Sequence, residues 1–174
     1  MSDLICELVK EDDPFLREVP DVFDFDSPQV DPEKLEKQLL ENMIHHRGYG
    51  LSANQIGIPV TAFAMMVDSD PLVVFNPEII EFSDETTFMK EGCLSYPGLY
   101  VAIERAYGVS TRFQLADSEE QSGNFIELSA RIFQHESEHM DGEIFIDNVS
   151  GFRLKAAMRK RKKYLRQLKK QKKG

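Results

Sequence analysis

The stretch His135-Glu136-Ser137-Glu138-His139 sets two histidines four positions apart in a segment that reads as helix from about Leu128 to Met140. On a helix, positions i and i+4 lie one above the other on one face, so both imidazoles reach one point in space. Ala130, Ile132 and Phe133 precede the pair and assign this helix to the core. Two buried imidazoles one turn apart need partners, and a metal ion supplies one. Glu136, beside the first histidine, is placed to take a proton from a water that such an ion activates. The plain alternative, two surface histidines on a charged helix, is opposed by the apolar residues upstream. A fold built on this stretch must bury a helix that carries a polar face.

A catalytic site of this kind needs a third protein ligand and one open position. No histidine follows His139, Glu143 is too near, and no acid lies beyond Asp147. Cys93, in Glu91-Gly92-Cys93-Leu94-Ser95, is the candidate. A thiolate with two imidazoles makes a good tetrahedral set for a borderline metal. Alone, a free cysteine is more simply a small buried hydrophobe. The chain has only two cysteines, Cys6 and Cys93. That is no disulfide framework, and it points to a reducing compartment.

A third segment, Gly48-Tyr49-Gly50-Leu51-Ser52-Ala53-Asn54-Gln55, nearly matches a dinucleotide fingerprint. That reading fails because a helix, not a strand, precedes it. A flexible loop bringing backbone groups and the Gln55 amide to a polar substrate fits better, against the bland reading of a connector after a helix end.

With 174 residues, 41% of them hydrophobic, the chain suits one domain. Its net charge is −9, but twelve of its 21 basic residues and none of its 30 acids lie in Arg153–Gly174. The preceding part therefore carries −21. An acidic body, 1–150, with a basic helical tail, 151–174, suggests a tail that meets something anionic; the bland reading is a solvated helix. The start, Met1-Ser2-Asp3-Leu4-Ile5-Cys6-Glu7, has no basic n-region, and no run is long enough to cross a bilayer. A soluble, cytoplasmic protein is expected, with no membrane and no DNA partner. Asp31-Pro32-Glu33 opens a first helix, with Leu35, Leu39 and Met43 as its stripe, and Gly48 stops it. Strands are expected at Val60–Val67, Leu72–Phe75 (broken by Asn76-Pro77), Thr86–Met89, Val101–Glu104, Gly108–Asp117 and Asn124–Leu128, the last two joined by a polar turn, Ser118–Gly123. A basic helix, Phe152–Lys172, carries a seam of Leu154, Met158, Leu165 and Leu168. The class is α+β: short antiparallel strands packed around a central metal-binding helix, with an N-terminal helix and a basic C-terminal helix.

In this order and spacing, the three segments resemble the signature motifs of the peptide deformylase family, over most of the chain from about Leu4 through the basic helix. The resemblance implies a hydrolase that removes the formyl group from N-formylmethionine of newly synthesised polypeptides and releases formate. It implies that Cys93, His135 and His139 hold one ferrous ion, with Zn2+, Ni2+ or Co2+ able to substitute. Glu136 then moves the proton, and the Gln55 amide and the Leu94 backbone N–H stabilise the oxyanion. Tyr49, Met89, Leu128, Arg131 and Ile132 match the methionine pocket; Gly50, Glu91, Gly92 and Cys93 flank the peptide backbone. The basic tail is similar to one through which some family members meet the ribosome.

Three departures stand out. Ser52 replaces the usual Ala and brings a hydroxyl that needs a partner. Glu138 replaces an Asp that pairs with an Arg, for which Arg105 is the candidate. Arg131 stands where an apolar residue is common, and is expected to alter the pocket rim. Two other functions remain open: another small HExxH metallopeptidase, which has no ready use for Cys93 and Gln55, and a non-catalytic ribosome-binding relative.

Overall fold

The computed structural model describes residues 4–171, with side chains through residue 167. Met1–Asp3, Lys172 and the Leu168 side chain lie outside the described part. Helix α1 spans Pro32–His45, α2 Glu127–Met140 and α3 Gly151–Gln171. The strands are β1 Gly50–Ser52, β2 Ala62–Val67, β3 Asp70–Phe82, β4 Thr86–Gly92, β5 Tyr100–Ala106, β6 Gly108–Gln114 and β7 Glu120–Ile126. Among the described residues two antiparallel sheets form, one in the order β1-β2-β3-β6-β7 and one from β4 and β5.

The five-stranded sheet separates two helices, and strand alternation does the sorting. On β2, Ala62 and Ala64 join Leu35, Leu39 and Met43 of α1, while Phe63 and Met65 join Ala130, Ile132 and Phe133 of α2. Small alanines let α1 come close on one face. The Phe63 and Phe133 rings meet edge to face at 5.2 Å on the other. The β4–β5 hairpin closes the opposite side of α2, so α2 lies between two sheets. This is the α+β arrangement expected, with the histidine helix at its centre.

The first helix starts as its sequence requires: Asp31 accepts from the Lys34 N–H at 3.0 Å, and Pro32 occupies the first turn. Its end differs. The left-handed residue is Arg47, with φ 59°, not Gly48. Gly48 is needed for room, since a Cβ there would meet the Gly50 carbonyl oxygen at 2.9 Å. The break expected at Asn76-Pro77 is a bulge inside a longer strand, with Asn76 at φ 47°. Asn76 ties the N-terminal segment to this bulge, accepting from the Phe23 N–H at 2.8 Å and donating to the Phe23 carbonyl at 2.9 Å. The polar turn is shorter than expected: residues 120–123 join the β6–β7 ladder because Gly123 lies opposite Thr111 in register.

The third helix is not a free tail. Ala157 and Arg161 are buried and Leu154 and Leu165 partly so, while Met158, expected in the seam, is half exposed. Ala157 packs with Leu99, Val101 and Phe145 in a third cluster. Arg161 is buried, donating to the Pro97 carbonyl at 2.9 Å and pairing with Glu11 at 2.5 Å.

Candidate metal centre

Cys93 follows β4 directly and opens a tight turn in which the Tyr96 N–H donates to its carbonyl at 2.9 Å. The turn points the thiol at α2. His139 Nε2 lies 3.4 Å from Cys93 Sγ, and ligand atoms of Cys93, His135 and His139 all fall within 4.8 Å of one another. All three residues are buried. This donor set calls for a cation. Burial pushes His135 down, but its hydrogen bonds to Cys93 and Glu91 outweigh that and raise it to about 10. Burial, with the charge of His135 beside it, holds His139 well below the ordinary histidine value. Two imidazoles and a thiolate at this spacing match a three-ligand site with one side open.

Glu136 lies on the open side. It is buried to 4% exposure, and its Oε2 has no hydrogen-bond partner. Burial raises its carboxyl to about 7, against the opposing pull of His135 and Arg105. A carboxyl poised there, with a free oxygen, is suited to exchanging a proton near neutral pH.

Glu91 steadies the first histidine. His135 Nδ1 lies 3.1 Å from Glu91 Oε2, leaving the other ring nitrogen for an ion. Burial pushes the Glu91 carboxyl up, yet hydrogen bonds from His135 and Arg105 win and hold it at about 2. Arg105 bridges two carboxylates: Nε donates to Glu91 at 2.6 Å, and Nη1 and Nη2 donate to Glu138 at 2.7 and 2.9 Å. The pairing expected for Glu138 is therefore present, extra methylene included.

A cleft of about 600 Å³ opens over this group. Its walls come from the end of α1 and β1, from β4 and the turn after it, and from α2. The match to known proteins is decisive here: the polypeptide deformylase family model covers residues 5–155. The chain belongs to the polypeptide deformylase family. A peptide deformylase of Bartonella tribocorum is 38% identical over 165 residues, which is 90% of each chain. The crystal structure of peptide deformylase from Thermotoga maritima superposes with a TM-score of 0.79 at 34% identity, over 84% of this chain and 98% of that one. A peptide deformylase from Synechococcus elongatus in complex with actinonin gives 0.84 at 28% identity, over 92% and 88%. The chain is thus a metal-dependent deformylase, which hydrolyses the formyl group from N-formylmethionine of new polypeptides and releases formate.

Within the deformylase cleft, the structure gathers nearly every residue named from sequence. Tyr49, Gly50, Gln55, Met89, Glu91, Gly92, Cys93, Leu94, Leu128, Arg131, Ile132, His135 and Glu136 line it; His139 lies just behind, at 1% exposure. The flexible loop expected at 48–55 is instead β1 and a buried 3-10 turn, Ala53–Ile56. Ser52 finds its partners there, with Oγ donating to Asn54 Oδ1 at 2.7 Å and its N–H donating to Gln55 Oε1 at 3.0 Å. Arg131 is not at the rim. It is buried to 4% exposure, and its guanidinium turns into the β4–β5 hairpin. Ser95, which receives the Gln55 amide at 3.1 Å, was not anticipated, although it directly follows the cysteine motif. Leu8, His46 and Pro97–Tyr100 also line the cleft and carry no sequence signal for it.

Proposed function

We propose that deformylation here runs on a single divalent ion held by Cys93, His135 and His139, ferrous in the native enzyme, with zinc, nickel or cobalt able to substitute. The gathering of one sulfur and two imidazoles beside the unpartnered carboxylate of Glu136 carries this reading. When bound, such an ion supplies Lewis acidity, polarising the formyl carbonyl and making water a nucleophile at neutral pH. Glu136 takes the proton as water oxygen bonds to the formyl carbon. The Gln55 amide and the Leu94 backbone N–H donate to the oxygen that becomes negative. Glu136 then delivers the proton to the amine nitrogen as the C–N bond breaks, leaving formate and a free methionine amine.

The methionine side chain enters between Tyr49, Met89, Leu128 and Ile132. Two strand edges support an extended peptide: among the described residues β1 ends its sheet, and β4 pairs with β5 alone. Either can accept a substrate backbone by strand addition beside Gly50 and Glu91 to Cys93. The exposed Lys155, Arg159, Lys160, Lys162, Lys163 and Arg166 of α3 suit rRNA phosphates, and support action on nascent chains at the ribosome in the cytoplasm. No helix among the described residues is long and apolar enough to cross a membrane.

The test is formate release from formyl-Met-Ala-Ser by anaerobically prepared protein, beside acetyl-Met-Ala-Ser. Formate from the first and no cleavage of the second supports the reading. Cleavage of the acetylated peptide backbone would favour a general peptidase instead.

A further inference from the structure

One face of α2 carries Arg131, His135 and Glu138 at spacing i, i+4, i+7, and all three engage the β4–β5 hairpin. Arg131 Nη1 donates to Glu91 Oε1 at 2.5 Å and to the Ile103 carbonyl at 3.1 Å. Its Nη2 donates to the Thr87 carbonyl at 2.7 Å and to Thr87 Oγ1 at 3.0 Å. One planar fork thus grips both strands of the hairpin, Thr87 and Glu91 on β4 and Ile103 on β5. Two turns along α2, Glu138 grips the hairpin again through Arg105. His135 lies between the two clasps.

We propose that Arg131 is a positioning residue for the metal site and not a contact for the substrate side chain. This rests on the reading of Cys93, His135 and His139 as ligands. Charges alternate along the ladder Glu138, Arg105, Glu91, Arg131, so two carboxylates meet two guanidiniums, with Glu91 Oε2 also facing His135 and Arg131 Nε left without a partner. Arg131 and Arg105 Nε share Glu91 Oε1, and this fixes the carboxylate so that Oε2 faces His135. Glu91 is two residues before Cys93. Holding β4 against α2 at this point sets the thiolate and the first imidazole relative to each other. A monopole such as lysine cannot do the same, because the site uses four N–H bonds in one plane.

The experiment is cobalt(II) titration of the apo protein and of Arg131→Met and Arg131→Lys, followed by the thiolate charge-transfer and d–d absorption. Loss of an outer partner of a metal ligand weakens affinity ~10–100-fold. Arg131→Met is expected to bind cobalt that much more weakly, with shifted d–d bands, and to lose kcat with little change in KM for formyl-Met-Ala-Ser. Arg131→Lys is expected to fall between it and the parent, and it carries the comparison if the methionine variant does not fold. Parent-like affinity and spectrum in both variants overturn the positioning role. So does a raised KM with intact cobalt binding, which returns Arg131 to the methionine pocket. A parent protein that binds no cobalt through its thiolate sinks the ligand reading itself, and with it this inference.

Discussion

Gln55 Nε2 lies 3.2 Å from Cys93 Sγ, with its Oε1 held by the Ser52 N–H at 3.0 Å. The amide is therefore locked with its donor end toward the sulfur and the cleft. In the proposed mechanism that donor serves the oxygen that becomes negative beside Cys93 Sγ. Gln55→Leu is expected to lower kcat ~10²–10³-fold while the bound metal, measured by elemental analysis, stays at the parent level. Unchanged kcat would take Gln55 away from the reacting end.

Gly50 is a contact of a different kind. A Cβ built there would run into Glu136 Oε1 and meet Ile132 Cγ2 at 2.8 Å. Gly50→Ala must push the Glu136 carboxylate aside. We expect a loss of kcat approaching that of Glu136→Ala, with an unchanged circular dichroism spectrum. An active Gly50→Ala enzyme would mean that Glu136 has another working position.

Burial lifts Glu136 to about 7, and in the proposed mechanism its working form is the ionised one. Activity therefore rises with pH through its pKa. A cation on the three ligands favours the carboxylate, so the acid limb of kcat/KM in the loaded enzyme is expected below 7. Glu136→Gln should cost ~10²–10⁴-fold in kcat and remove the limb. A limb that survives this substitution belongs to another group.

Glu91 is held at about 2, below its ordinary 4.5. Between these values the unfolded chain binds the extra proton, so stability rises with pH across that window. The contribution is complete above 4.5 and is lost as pH falls through 2. Its ceiling is about 3 kcal/mol. In urea unfolding, the gap between parent and Glu91→Gln should narrow as pH drops from 4.5 toward 2. A gap independent of pH would show that Glu91 acts through shape alone.

Because Ala157 and Arg161 of α3 are buried, deleting the helix would open the core and confuse any test of ribosome binding. Charge reversal on the exposed face avoids this: Lys155→Glu, Arg159→Glu, Lys162→Glu and Arg166→Glu together. Co-sedimentation with ribosomes at low salt is expected to be lost, with formate release from the free peptide unchanged. Retained co-sedimentation would assign ribosome contact elsewhere.

The histidine spacing, the apolar residues before it and the Asp31-Pro32 start were sufficient to locate α2 and α1, because helix periodicity and capping are local. The three motif segments likewise named Cys93, His135, His139, Glu136 and Gln55, which the structure brings together at one cleft. What only the tertiary structure decided involves partners far apart in the chain. Arg131 reads locally as a charge beside an apolar pocket, yet its guanidinium is fixed by Glu91, Thr87 and Ile103, all at least 28 residues away. Asn76-Pro77 reads as a strand end, yet Phe23 holds it as a bulge. The basic helix reads as a tail that meets an anionic partner, and its sequence carries no sign that Pro97 and Glu11 bury Arg161. In each case a polar group satisfied by a distant strand or loop costs little to bury, and sequence spacing carries no record of that partner.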